Sequence, residues 1–140
     1  MRTTHTLERR STSGVDIFDL TDDLRKLVAE SGISEGEALV FVPGSTAALT
    51  TIEHEPGVLE DLKAALERMA PSDIRYAHDA AWGDGNGFSH VRAALVGPSL
   101  VVPIAGSHLI LGTWQQVVLL DFDNRGRLRR ILVRLTGERD

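Results

Sequence analysis

The chain has 140 residues, of which 42% are hydrophobic and 25% charged, with a formal net charge of −5 at pH 7. This length and composition are typical of one water-soluble domain, and no apolar run reaches the roughly 18 residues that a membrane-spanning helix needs. The negative charge argues against nucleic acid or an anionic membrane as the main partner. The absence of cysteine excludes disulfides and thiolate metal sites, and the N-terminus lacks the apolar core of a secretory signal. We therefore expect a single cytoplasmic domain over residues 1–140.

The first half of the chain predicts strands and helices in alternation. Threonines favour a strand in the first segment, while Gly32 and Pro71 mark the ends of two segments with helical apolar spacing. An almost wholly apolar segment before Pro43 predicts a strand covered on both faces. The predicted strands are residues 2–13, 38–42 and 49–53, and the predicted helices are residues 19–28 and 56–71.

The second half predicts one helix and then only strands. The helix begins near Ser89 and ends at Gly97-Pro98, a usual stop signal. Two hairpins follow, with turns over residues 105–107 and 123–126. Their predicted strands are residues 99–104, 108–113, 114–122 and 129–136. This order predicts an α+β fold, a compact single domain with a mainly antiparallel β-sheet and helices packed on it, rather than parallel βαβ winding.

Residues 76–90 differ from segments that build a core. They hold two histidines, two acids, one amide and three glycines, with no apolar period of 2 or 3.6. The stretch leads into the helix that begins near Ser89, and the free N–H groups and positive dipole end of a helix N-terminus attract anions. We therefore expect this loop to form the floor of a site for a small anionic molecule.

His78 and His90 lie at the two ends of this loop. Imidazole is the side chain most often used for acid–base chemistry near neutral pH, and it is also a common metal ligand. With Asp79, Asp84 or Glu53 they could hold one divalent metal. They could equally work as an acid–base pair without a metal. The spacing leaves both alternatives open.

Four other polar segments have two interpretations each. Ser45 and Thr46 follow a buried strand and could donate to a phosphate, although an ordinary turn explains them better. Glu53 belongs to a short acidic run and could bind a metal or act as a base, although solvation is the simpler account. The arginines of residues 125–134 suggest a phosphate clamp, but a solvated strand face is the preferred interpretation. The glycine and amides of residues 111–116 indicate either a β-bulge or a kink where a ligand or a neighbouring subunit approaches.

Several common catalytic motifs are absent. The sequence contains no Walker A loop, no glycine-rich dinucleotide fingerprint, no H-E-x-x-H and no G-x-S-x-G. This argues against a P-loop enzyme, a dinucleotide-dependent oxidoreductase, a zincin and an α/β-hydrolase.

The sequence resembles the YjbQ-like family, the secondary thiamine-phosphate synthases. The similar motifs occur in family order between about residues 38 and 137. They are Ser45-Thr46-Ala47-Ala48-Leu49-Thr50 with Glu53, Tyr76-x-His78-Asp79, Asn86-x-x-Ser89-His90, Gly97-x-Ser99-Leu100-x-x-Pro103 and Leu111-Gly112-Thr113-Trp114-Gln115. The chain departs from the family at Gly44, where many members have histidine, so position 44 supplies no third histidine for a metal site.

This resemblance implies a compact α+β fold, a homotrimer with sites near subunit interfaces, and a weak transferase activity. The reaction joins a hydroxymethylpyrimidine diphosphate to a thiazole phosphate and releases pyrophosphate. Mg²⁺ is the expected ion for the diphosphate, and a histidine-bound transition metal is a further option. The resemblance assigns catalysis to His78, His90 and Glu53, metal binding to His78, His90 and Asp79, and substrate binding to Ser45, Thr46, Asn86, Ser89, Thr113 and Gln115.

Two other functions use the same residues. The first is metal-dependent hydrolysis of a phosphoester, and the second is an oligomeric protein that binds an anion without catalysis. In each case the expected partners are small phosphorylated molecules.

Overall fold

A computed structural model describes all 140 residues, from Met1 to Asp140, with eight strands and four helices. The strands are β1 (Arg2–Arg10), β2 (Asp16–Asp19), β3 (Ile33–Phe41), β4 (Ala47–Ile52), β5 (Ser99–Ala105), β6 (His108–Leu109), β7 (Gln116–Asp121) and β8 (Leu128–Arg139). The helices are α1 (Thr21–Ser31), α2 (Pro56–Met69), α3 (Ala77–Trp82) and α4 (Gly87–Val96). None of the four helices has both the length and the apolar character that crossing a lipid bilayer requires.

The strands form two sheets, and every pair of neighbouring strands is antiparallel. The larger sheet has five strands in the order β1-β8-β3-β5-β6, and the smaller has three in the order β2-β7-β4. The predicted α+β fold with a mainly antiparallel sheet is therefore confirmed.

The smaller sheet lies between two hydrophobic cores. One core contains residues of both sheets and of α1, and the other contains residues of the smaller sheet with α2 and α4. In β7, Val117 and Leu119 belong to the first core while Val118 and Leu120 belong to the second, and all four are fully buried. A strand covered on both faces needs apolar side chains at successive positions, which explains the continuous apolar run of β7.

The predicted hairpin of residues 114–122 and 129–136 is wrong. β7 pairs with β2 and β4, whereas β8 pairs with β1 and β3, so the turn between them carries the chain from one sheet to the other. The physical reason is that β7 is buried on both faces, and it therefore lies at the centre of the smaller sheet, where β2 and β4 pair with its two edges. The turn residues 123–126 correctly indicated that the chain reverses direction, but they do not determine which strands pair on either side of the turn.

Three shorter elements also differ from the prediction. The predicted strand 108–113 is reduced to the two residues of β6, because the side chain of Gln115 accepts a hydrogen bond from the Gly112 N–H and holds the following segment as a loop. β2 was not predicted. Residues 76–90 contain the six-residue helix α3, which is too short to display an apolar stripe.

The pairing of β4 with β7 positions polar residues at one end of the smaller sheet. Ala47, the first residue of β4, lies opposite Asp121, the last residue of β7. The Phe122 N–H then donates to the Thr46 carbonyl at 3.0 Å, so the chain before β4 and the chain after β7 remain side by side. Three of the four buried charged side chains of the protein, Asp121, Asp123 and Arg129, lie at this end of the sheet.

Candidate functional site

Two histidines from different helices meet at the surface of this end of the sheet. His78 belongs to α3 and His90 to α4, and their ring centroids are 4.4 Å apart with the ring planes inclined by 53°. Gly83 and Gly85 have φ angles of 72° and 69°, a left-handed conformation that glycine adopts without strain. These two residues let the chain reverse between the short helices. The loop therefore brings its two histidines to one place.

His78 is oriented by polar groups on the same loop. Its Nε2 lies 3.1 Å from Asn86 Oδ1 and 3.2 Å from Asp84 Oδ1. Asn86 is buried, and its Nδ2 donates to Asp123 Oδ1 at 3.5 Å. The Asp123 carboxylate can only accept, so it turns the amide nitrogen of Asn86 toward itself and the amide oxygen toward His78. Since both partners of His78 Nε2 are acceptors, this nitrogen carries the hydrogen.

Beneath the histidines lies a network of two buried acids, the buried Arg129 and the partly exposed Arg127. Arg129 donates to Asp121 through Nε at 2.6 Å and Nη2 at 3.2 Å, and Arg127 Nε donates to Asp123 at 2.6 Å. Thr46 links the two pairs: its hydroxyl accepts from Arg129 Nη2 at 2.7 Å and donates to Asp123 at 2.9 Å. Both carboxylates are fully buried. Such paired and hydrogen-bonded charges are the condition under which buried ions are tolerated.

The network keeps Asp123 ionised. Burial alone would raise the pKa of this carboxyl, but hydrogen bonds from Arg127 and Thr46 outweigh burial and hold the pKa below its ordinary value. Because the folded pKa is lower than the unfolded one, this ion stabilises the protein above the unfolded pKa, and the stabilisation is lost as the pH falls through the folded pKa.

Replacing Asp123 with asparagine should therefore lower stability and flatten its acid dependence. We expect a loss of about 1.5–3 kcal/mol at neutral pH, the usual contribution of hydrogen bonds to a charged group. Below about pH 4, near the unfolded pKa of an aspartate, the stability of the variant should fall less steeply than that of the wild type. Urea unfolding at a series of pH values measures both effects. Asp22→Asn is the control, because the Asp22 side chain is fully exposed and its contact with Arg25 is 3.6 Å long. Equal changes in stability and in acid dependence for the two variants would contradict this account.

A cavity of about 370 Å³ opens over the histidines and the network. A second cavity of about 200 Å³ shares Gly44, Ser45 and His90 with the first. The lining of the larger cavity combines imidazoles, guanidinium groups and one free hydroxyl, which suits an anionic ligand and acid–base chemistry. The residues that line it are Gly44, Ser45, Thr46, His78, Trp82, Asp84, Asn86, His90, Arg127 and Arg129.

Of the predicted substrate-binding residues on this side, only Ser45 has a free hydroxyl. The Thr46 hydroxyl is used within the network. Ser89 is fully buried, and its hydroxyl donates to the Asn86 carbonyl at 2.6 Å. The Asn86 side chain spans His78 and Asp123. Thr46, Asn86 and Ser89 therefore shape the cavity and hold its residues in place.

The helix N-terminus of α4 is not the open anion site that the sequence predicted. The Asp79 carboxylate accepts a hydrogen bond from the Gly87 N–H at 2.9 Å, so an anion of the protein itself occupies the start of the helix. The prediction of free amides there is wrong for Gly87. This bond also packs α3 against the start of α4.

The same bond bears on metal binding. Asp79 is directed to the α4 backbone, and His78 Nε2 is engaged by Asn86 and Asp84. The structure contains no group of three or more histidine, aspartate or glutamate side chains that could hold a metal ion. The predicted set of His78, His90 and Asp79 thus does not form a coordination site, and these residues do not fit a resident metal.

Glu53, Thr113 and Gln115 lie away from the histidines. Glu53 and Thr113 line another cavity, of about 390 Å³, at the other end of β4. Thr46 immediately precedes β4 and Glu53 immediately follows it, so at a rise of about 3.3 Å per residue these two residues are more than about 20 Å apart. Gln115 accepts from the Gly112 N–H and donates to Thr51 Oγ1 at 3.1 Å. One chain therefore does not bring these three residues to the histidine cavity.

The buried pairs were missed by the sequence interpretation, which placed the arginines on a solvated face. That interpretation holds for Arg130, whose side chain is 65% exposed, and is wrong for Arg129, which is 8% exposed. A signal was present. Asp121 and Asp123 follow a strand that is apolar on both faces, and an acid at such a position needs a cationic partner.

Comparison with known proteins gives one consistent family. The sequence model described as UPF0047 protein YjbQ-like matches residues 5–138. A UPF0047 protein of Archaeoglobus fulgidus is 38% identical over 128 residues, which are 91% of this chain and 97% of that protein. A UPF0047 protein of Methanothermobacter thermautotrophicus is 36% identical over 135 residues, which are 96% of this chain and 92% of that protein.

Solved structures agree. A YbjQ-like protein of unknown function from Sulfolobus solfataricus has a TM-score of 0.88 at 29% identity and covers 99% of this chain and 100% of its own. An uncharacterized conserved protein of the yjbq/upf0047 family from Clostridium acetobutylicum has a TM-score of 0.81 at 33% identity and covers 93% of this chain and 99% of its own.

Proposed function

We propose, since this chain belongs to the UPF0047 family of YjbQ-like proteins, that it is a transferase with low thiamine-phosphate synthase activity. The reaction joins hydroxymethylpyrimidine diphosphate to thiazole phosphate. The observation that carries this proposal is that His78 and His90 share one cavity with Arg127 and Arg129, with the two ring centroids 4.4 Å apart.

The chemistry of the reaction matches the groups in this cavity. The C–O bond between the methylene carbon and the diphosphate breaks, and pyrophosphate leaves with the electron pair. The lone pair of the thiazole nitrogen forms the new C–N bond, so the product carries a thiazolium cation. Charge accumulates on the leaving oxygen, where fixed donors and cations lower the barrier. Mg²⁺ bound to the incoming diphosphate would neutralise part of its charge.

His90 is the better acid for the leaving oxygen. Its ring makes no hydrogen bond within the chain, whereas His78 Nε2 is held by Asn86 and Asp84. His78 packs against the His90 ring and fixes its position. We therefore assign His90 to protonate or hydrogen-bond the leaving diphosphate, and His78 to orient it.

We also propose a homotrimer. Glu53, Thr113 and Gln115 can take part in this reaction only if a second copy supplies them, because they lie about 20 Å from the histidines along β4. Light scattering after gel filtration should give three times 15.3 kDa, about 46 kDa. A mass of one chain would contradict the homotrimer and would also exclude a catalytic role for Glu53.

We place the protein in the cytoplasm, consistent with its lack of cysteine.

A direct assay tests the reaction. The protein at high concentration is incubated with both heterocyclic phosphates and Mg²⁺, and thiamine phosphate and pyrophosphate are quantified together. We expect equal amounts of the two products above the background without protein. Release of phosphate or pyrophosphate without thiamine phosphate would favour a phosphoester hydrolase, and no product at all would favour an anion-binding protein without catalysis.

A further inference from the structure

Arg129 presents one end of a buried guanidinium to the histidine cavity. Its side chain is 8% exposed, and Nε and Nη2 are both used by Asp121 and Thr46. Nη1 makes no hydrogen bond within the chain. It is also not fully buried, because the only fully buried side-chain nitrogen or oxygen without a partner is Gln116 Oε1. Nη1 therefore retains some exposure to solvent, and Arg129 lines the cavity.

Gly44 leaves this guanidinium uncovered. A Cβ atom at Gly44 would lie 3.2 Å from Arg129 Nη1, closer than nearly all real contacts of such an atom. The φ angle of Gly44 is 122°, a conformation that residues with a side chain rarely adopt. Both features keep position 44 free of a side chain, and Gly44 lines the same cavity as Arg129.

Further unpaired donors belong to Gly44 and Ser45, which line the same cavity. The backbone N–H groups of Gly44 and Ser45 make no hydrogen bond within the chain, and neither does the Ser45 hydroxyl. Both residues are exposed and line the same cavity as Arg129. Unpaired donors beside a fixed cationic group are the composition of an oxyanion-binding site.

We infer that Arg129 Nη1, with the amides of Gly44 and Ser45, is the binding site for a phosphoryl group of the ligand. This inference rests on the proposed function and specifies which atoms recognise the leaving diphosphate. A planar carboxylate is the poorer ligand, because the parallel donor pair of Arg129 is already taken by Asp121. The remaining donors belong to separate groups, which suits the several oxygens of a tetrahedral phosphoryl group.

Gly44→Ala tests the inference, with Gly97→Ala as the matched control. Gly97 also has a positive φ, 103°, but a Cβ there would meet nothing within 4 Å. Both variants therefore strain the backbone, and only Gly44→Ala covers Nη1. By calorimetry with pyrophosphate, we expect Gly44→Ala to bind at least about tenfold more weakly, which corresponds to about 1.4 kcal/mol, and Gly97→Ala to bind within twofold of the wild type.

A second measurement uses the wild type and does not depend on any variant folding. In ¹H–¹⁵N spectra, addition of pyrophosphate should shift the amide signals of Gly44 and Ser45 and the guanidinium signal of Arg129, and leave Gly97 unchanged. Equal losses in the two alanine variants, or no shift at Gly44, Ser45 and Arg129, would overturn the inference.

The two proposals can fail separately. If Gly44→Ala weakens pyrophosphate binding but the protein makes no thiamine phosphate, the phosphoryl site is supported and the synthase reaction is refuted. If the protein makes thiamine phosphate and Gly44→Ala leaves this turnover unchanged, the synthase reaction is supported and the phosphoryl site is refuted.

Discussion

Replacing Arg129 with methionine is expected to destabilise the protein by about 3–5 kcal/mol, the usual cost of removing one partner of a buried ion pair. Asp121 is fully buried and accepts two hydrogen bonds from Arg129, at 2.6 and 3.2 Å. Without the guanidinium, its carboxylate would be either an unpaired buried charge or a protonated acid with lost hydrogen bonds. Thr46 would lose its donor as well. This loss is a large fraction of the roughly 5–15 kcal/mol that stabilises a typical domain.

Arg130→Met is the control for this experiment. Arg130 is the next residue of β8, but its side chain is 65% exposed, and its contact with Glu8 is 3.4 Å long. Exposed pairs of this kind contribute at most about 1 kcal/mol. Urea unfolding of both variants at neutral pH gives the comparison, and similar losses of stability would show that the network around Asp121 is not a major support of the fold.

Replacing His90 with alanine is expected to lower synthase turnover by a factor of about 10²–10⁴, the usual contribution of a positioned proton donor. The loss should fall on kcat more than on KM, since the developing charge on the leaving oxygen exists only in the transition state. His78→Ala should be less severe, because His78 orients its neighbour. The double variant should be little worse than His90→Ala, as expected for residues that act as a unit.

His108→Ala is the control for the histidine variants. His108 is exposed on β6, in a region that contributes nothing to the histidine cavity. Its replacement should leave turnover unchanged within about twofold. If His90→Ala behaves like His108→Ala, the cavity is not where the reaction takes place.

The sequence predicted most of the fold because most elements carry local signals. Strands β1 and β4 and helices α1, α2 and α4 have composition, spacing or stop signals that depend only on neighbouring residues. The convergence of His78 and His90 could also be predicted, since both residues belong to one short loop that glycines allow to fold back on itself.

The buried network could not be predicted in the same way. Arg129 lies on β8 and Asp121 on β7, and these strands belong to different sheets. Their contact depends on the crossing between the sheets, which the hairpin-like sequence of the turn conceals. Local patterning shows that Asp121 needs a cation but cannot show which of the nearby arginines supplies it.

The distance between Glu53 and the histidines also could not be predicted from the sequence. Both ends of β4 carry polar residues, and a strand of six residues places them about 20 Å apart. Sequence motifs give the order of residues along the chain, whereas their distances follow from the strand that joins them.

A crystal structure of the protein soaked with pyrophosphate and Mg²⁺ tests the central claim most directly. The account predicts a diphosphate in the histidine cavity, with one phosphoryl group against Arg129 Nη1 and the amides of Gly44 and Ser45, and with its bridging or terminal oxygens within reach of the His90 ring. A diphosphate bound elsewhere, with the cavity filled only by water at saturating ligand, would contradict it.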